Sequence, residues 1–216
     1  MKKSLFLLLL LPMLSACAQD APPPAKEGEV LGDMTVEEFE PRSTLVVPEN
    51  IVTKAKFPFV DAHSHWFRAA SMTPGAIDTL IQEMDEMNMG VIVNLSGQSG
   101  EALQGALSNM EARYPNRIVT FANVDFDGVG GDNWTENAVA QLRTDIEAGA
   151  RGLKVYKNLG MDVMDVDGNR VSVNDSRLDP IWALAGEMGI PVLIHSAEPA
   201  SFWKPRDKFN EKWLEL

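Results

Sequence analysis

The chain has 216 residues, with 31 Asp+Glu against 19 Lys+Arg and a formal net charge of −12. So acidic a balance argues against nucleic acid as a partner, because phosphate neutralisation needs a basic surface. A single cysteine, Cys17, excludes an intramolecular disulfide and a thiolate-rich zinc site.

Met1-Lys2-Lys3 and the apolar run Leu5–Leu14 have the length and polarity of a secretory leader, too short to span a bilayer. The run closes in Leu14-Ser15-Ala16-Cys17, which resembles the bacterial lipoprotein processing box. That resemblance implies cleavage after residue 16, lipidation of Cys17 and an envelope-anchored protein; a plain signal peptide is the alternative. Cleavage removes Lys2 and Lys3, so membrane attachment rests on acyl chains rather than on charge. Residues 17–43, with Pro22-Pro23-Pro24 and many Glu, predict a disordered tether, and the folded part is expected over 44–216.

From Phe57 onward short β-rich runs alternate with helical patterns. The strands are expected over 57–62, 90–95, 117–124, 152–157 and 190–195. The first helix starts with Thr73 as N-cap and Pro74 at the first helical position, and continues through Ile77, Leu80, Ile81, Met84 and Met87 to Gly90. Leu103, Ala106, Leu107 and Met110 mark the second helix, and Ala138, Val139, Leu142 and Ile146 the third. The fourth opens at Asp179-Pro180 and ends at Gly189. This alternation predicts an α/β protein with parallel strands and crossover helices. The segment 158–176, with valines on both sides of Asp167-Gly168-Asn169, reads as a hairpin rather than a calcium loop, whose glycine and distal Glu are out of register.

Polar residues gather at the C-terminal ends of the predicted strands: Asn94, Asn123, Asp125 and His195. Active sites of (β/α)8 barrels form there, although an open doubly wound sheet also binds ligands at strand C-termini. No dinucleotide or P-loop signature is present. In Asp61-Ala62-His63-Ser64-His65 the two imidazoles project from one face of a strand, within reach of one cation. His195, the third and last histidine, also ends a strand. On the fourth strand Lys154 and Tyr156 share the face opposite Leu153 and Val155.

Asp-Ala-His-Ser-His on a first strand and Pro191-Val192-Leu193-Ile194-His195 on a fifth resemble the amidohydrolase superfamily, in its branch of metal-dependent hydrolases and decarboxylases. The resemblance implies a TIM barrel, incomplete here with about five β/α units. It implies one divalent metal, zinc by preference with manganese or iron as alternatives, held by His63, His65 and His195. Lys154 occupies the position of the carboxylated lysine of two-metal members, and equally suits a substrate carboxylate or phosphate. Asp61 is expected to orient an imidazole, and Asn94, Asn123, Tyr156 and Glu198 to line the substrate mouth. The family's sixth-strand His and eighth-strand Asp have no counterpart, so a truncated chain is expected, with the general base beyond residue 216. The expected activity is hydrolysis of a small-molecule amide, ester or lactone. Non-oxidative decarboxylation and a non-catalytic metal- or ligand-binding lipoprotein are the alternatives.

Overall fold

The computed structural model describes residues 34–42 and 47–213. Cys17, the leader and most of the proposed tether lie outside these residues. Two compact units emerge, one built from 47–197 and a smaller one from the described parts of 1–46 and 198–216. No helix among the described residues is long and apolar enough to cross a membrane.

The larger unit carries six strand segments, β1 (Phe59–Ser64), β2 (Met89–Asn94), β3 (Ile118–Thr120), β4 (Ala122–Asn123), β5 (Leu153–Val155) and β6 (Val192–Ile194). All pairings between them are parallel, in the orders β1-β2-β3 and β4-β5-β6. β3 and β4 are one strand in sequence, interrupted at Phe121. That residue still donates to Asn94 and accepts from Gly97, while Arg151 donates to Thr120 and Ala122 to Gly152. The five expected strands are therefore present in the expected order, and their pairings are parallel as expected.

Four helices make the crossovers: α1 (Pro74–Met87), α2 (Gly100–Ala106), α3 (Trp134–Ala148) and α4 (Asp179–Glu187). Thr73 caps α1 as expected, its hydroxyl accepting from the Ala76 N–H at 3.3 Å. The C-terminal cap differs from expectation: α1 closes at Asn88, whose φ of 65° is left-handed, and Gly90 lies within β2. Asparagine tolerates that conformation, and here its side chain also donates to the Ala55 carbonyl at 3.0 Å. After α2 the chain widens into a π-turn over Leu107–Glu111.

Two apolar clusters hold the helices on the strands. Ile77, Ile81 and Met84 of α1 pack with Ile92 of β2 and Ile118 of β3. Leu142 of α3 and Ile181 and Leu184 of α4 pack with Ala122, Leu153 and Val155. Since alternate residues of a strand face opposite ways, the burial of Leu153 and Val155 against helices puts Lys154 and Tyr156 on the other face. The outermost strands are less covered: Phe59 and Val60 of β1 and Val192 and Ile194 of β6 are all exposed.

The 158–176 segment is a minimal hairpin. Met164 bridges Arg170, Val171 donates to Val163 at 3.0 Å, and Gly168 takes a left-handed φ of 80° at the turn. Asp165 is consumed in this turn, accepting from the Asp167 and Asn169 N–H groups and pairing with Arg177. Arg177 also holds the Asp175 carboxyl down to about 2.

The smaller unit includes residues 34–42 of the stretch expected to be a tether. Residues 36–38 form a 3-10 turn, and Glu40 and Arg42 donate backbone hydrogen bonds to Lys208 and Phe209. The Arg42 guanidinium lies 3.6 Å from the Phe209 ring centroid. These long-range contacts carry no compositional signature.

Candidate active site

His63 lies in β1 and His65 follows just beyond it, and their ring centroids are 5.1 Å apart. This is the one-face placement that i, i+2 spacing on a strand dictates. Asp61 Oδ1 accepts from the backbone N–H of His63 at 3.0 Å, pinning the strand end that carries the pair. The His65 ring stacks with Phe67, at 5.7 Å, and with Tyr156, at 5.9 Å.

His195 directly follows β6, its N–H donating to the Val155 carbonyl at 3.1 Å. Its Nε2 stands 2.7 Å from the Ala197 carbonyl oxygen, so this nitrogen donates, and in the neutral tautomer Nδ1 holds the lone pair. Among the described residues no three His, Cys, Asp or Glu side chains stand together in a group that could hold a metal ion. The charges of His63 and His195 are nonetheless felt at His65. Partial desolvation lowers the His65 pKa, and the charges of His63, Lys154 and His195 lower it further. A neutral imidazole is the form that ligates metal.

Lys154 is 1% exposed, and its Nζ has no hydrogen-bond partner. Burial lowers its pKa. The Nζ sits 5.7 Å from the Tyr156 ring centroid, on the site side of β5. A buried ammonium with no counter-charge is costly, and it presents an unmet demand for an anion.

Asn94 and Asn123, expected at the substrate mouth, both spend their amide oxygens on backbone N–H groups. Asn94 Oδ1 accepts from the N–H groups of Trp66 and Ser96, at 3.0 and 2.9 Å. Its buried Nδ2 has no partner. Asn123 Oδ1 accepts from Gln98 N–H at 2.7 Å, and its Nδ2 donates to the carbonyls of Leu95 and Lys154. Tyr156 donates its hydroxyl to the Leu95 carbonyl at 3.0 Å; burial pushes its phenol up, and a hydrogen bond with Ser96 opposes this. Glu198 belongs to the smaller unit.

Ser96 was not singled out by the sequence. It is 1% exposed, and its Oγ lies 2.8 Å from His65 Nδ1 and 2.9 Å from the Tyr156 hydroxyl. A serine after an apolar strand has no periodicity or motif to mark it; the only available signal is its place at the end of a strand neighbouring the histidine pair.

Two solved structures resemble the fold at low identity. One is a 4-oxalomesaconate hydratase from Rhodopseudomonas palustris, 13% identical over 64% of this chain and 52% of that one, with a TM-score of 0.44. The other is a probable 2-pyrone-4,6-dicarboxylic acid hydrolase from Acinetobacter baumannii with citric acid bound, 15% identical over 67% of this chain and 50% of that one, with a TM-score of 0.37. The chain thus spans about half the length of each. No curated protein matches. The amidohydrolase family model matches residues 60–210, well over half of the sequence and all of the strand ends described above, and the chain belongs to that family.

Proposed function

We propose that the protein is a metal-dependent hydrolase on a (β/α)8-type barrel, opening an amide, ester or lactone of a small molecule. The observation that supports this most is the His63–His65 pair beside the buried, unpartnered Lys154. The donor set suits one divalent ion, zinc by preference, with manganese or iron compatible with imidazole and oxygen ligands. His63 and His65 would hold it, and His195 would join by releasing the Ala197 carbonyl or through Nδ1. Such an ion supplies Lewis acidity, polarising a carbonyl and acidifying water.

The chain's own residues do the positioning. Lys154 offers a desolvated positive charge to a substrate carboxylate, while Phe67 and Tyr156 each stack with the His65 ring. The same unmet charge favours a second reading, non-oxidative decarboxylation, in which Lys154 grips the departing carboxylate.

Metal analysis of the full-length protein tests the reading. Stoichiometric divalent metal is expected, falling sharply in His63→Ala, His65→Ala and His195→Ala; unchanged content in all three variants overturns it. Placement in the cell envelope through a lipidated Cys17 belongs to the same proposal. Cys17→Ser should release the protein to the soluble fraction, and a variant that stays membrane-bound without accumulating precursor contradicts it.

A further inference from the structure

The hydroxyl and imidazole groups around Ser96 form a chain whose proton directions are all determined by its last member. The Leu95 carbonyl can only accept, and it receives both the Tyr156 hydroxyl at 3.0 Å and Asn123 Nδ2 at 3.1 Å. Tyr156 has one proton, which goes to Leu95. At the 2.9 Å contact with Ser96 the phenol oxygen must therefore accept, so the Ser96 hydroxyl proton points to Tyr156. With that proton committed, Ser96 Oγ can only accept at its 2.8 Å contact with His65 Nδ1. The Nδ1 of His65 must then carry a proton, which in a neutral imidazole leaves the lone pair on Nε2.

We infer that Ser96 and Tyr156 are positioning residues that lock His65 in the Nδ1–H tautomer and present its Nε2 lone pair to an electrophile. Neither residue need touch substrate to do this. The link is buried at Ser96 and anchored on a main-chain carbonyl, so it is in place before any ligand arrives. Its use for a divalent ion rests on the metal reading above; the tautomer lock itself does not. Groups that orient a metal-binding imidazole through its other nitrogen typically change metal affinity about 10–100-fold when removed.

With only three histidines in the chain, the ring nitrogens of the full-length protein can be followed by long-range 15N–1H NMR on 15N-histidine-labelled material. The His65 pattern, assigned through His65→Gln, should show a single tautomer with Nε2 unprotonated at pH values above its titration. Ser96→Ala should give a mixture of tautomers, and Tyr156→Phe a partial one, because the serine proton is then free to turn towards His65. Zinc affinity should fall about 10–100-fold in Ser96→Ala. A wild-type His65 protonated at Nε2, or one whose tautomer is unchanged in both variants, overturns the inference. If Ser96→Ala fails to fold, Tyr156→Phe alone decides, since it deletes one oxygen and keeps the ring against His65. A wild-type protein that shows the lock but binds no metal refutes the metal reading and leaves the lock standing.

Discussion

Asn123 and Lys154 stand opposite one another in register across β4 and β5, and the Asn123 amide donates to the Lys154 carbonyl at 3.2 Å. The same amide group reaches Leu95 and Gln98, so one side chain ties the ends of three strands together. Asn123→Ala leaves three backbone groups without this partner and should destabilise the protein by about 2–4 kcal/mol in urea unfolding. Asn123→Asp should be no better, because a carboxylate oxygen would then face two carbonyl oxygens.

Gly97 and Gly152 both lie against Phe121, but against different parts of it. A Cβ on Gly97 would meet the Phe121 carbonyl oxygen, whereas one on Gly152 would meet its ring. A ring can be trimmed and a backbone cannot. Gly152→Ala should cost about 1–3 kcal/mol and be partly rescued by Phe121→Leu. Gly97→Ala should gain nothing from that second change, as thermal unfolding of the two double variants would show.

Asp145 is fully buried on α3, with Oδ1 accepting from Gly100 N–H at 2.9 Å and from Gln141 at 3.0 Å. Its other oxygen has no partner, and burial raises its pKa. A raised carboxyl pKa means that the unfolded chain gives up its proton first as pH rises. This residue therefore erodes stability from about pH 4 up to its folded pKa, and has no such effect below pH 4. Asp145→Asn, which keeps the acceptor for Gly100, should flatten the pH dependence across that window and match or exceed wild-type stability at neutral pH. Asp145→Leu, which leaves the Gly100 N–H unmet, should lose about 1–3 kcal/mol.

Lys154 gives the opposite sign at the alkaline end. With its folded pKa below the ordinary lysine value, the folded state loses its proton first as pH rises. The wild type should therefore gain stability on going alkaline, until the unfolded lysine also deprotonates near pH ~10.4. Lys154→Met keeps the volume of the stem without the charge. It should be at least as stable as wild type at neutral pH, with that alkaline gain abolished, in denaturant titrations at several pH values.

The strand order and the histidine pair were legible because period-2 alternation, Pro at helix starts and the spacing of His63 and His65 are local signals. The end of α1 was misplaced by two residues because Asn88 and Gly90 are both competent caps, and only the Ala55 contact favours the first. Phe121, expected within the third strand, instead interrupts it, with Gly97 against its carbonyl oxygen and Gly152 against its ring. Asn94 and Asn123 were correctly placed at strand ends, yet sequence could not tell a side chain that faces a substrate from one bonded to loop amides. Ser96 and the Arg42–Phe209 contact depend on partners many residues away, and no window of the sequence contains both halves.

The turn from Leu95 to Gly100 has almost every polar group engaged: Leu95 by Ser64, Tyr156 and Asn123, Ser96 by Asn94 and His65, Gln98 by Asn123 and Phe67, and Gly100 by Asp145. A segment so fully engaged has little room to drift. Randomising it should return few functional sequences, most of them near the original. New specificity in this scaffold is more accessible elsewhere, for instance in the 158–176 hairpin, whose Val166 and Val173 are exposed and whose tip at Gly168 has open space around it.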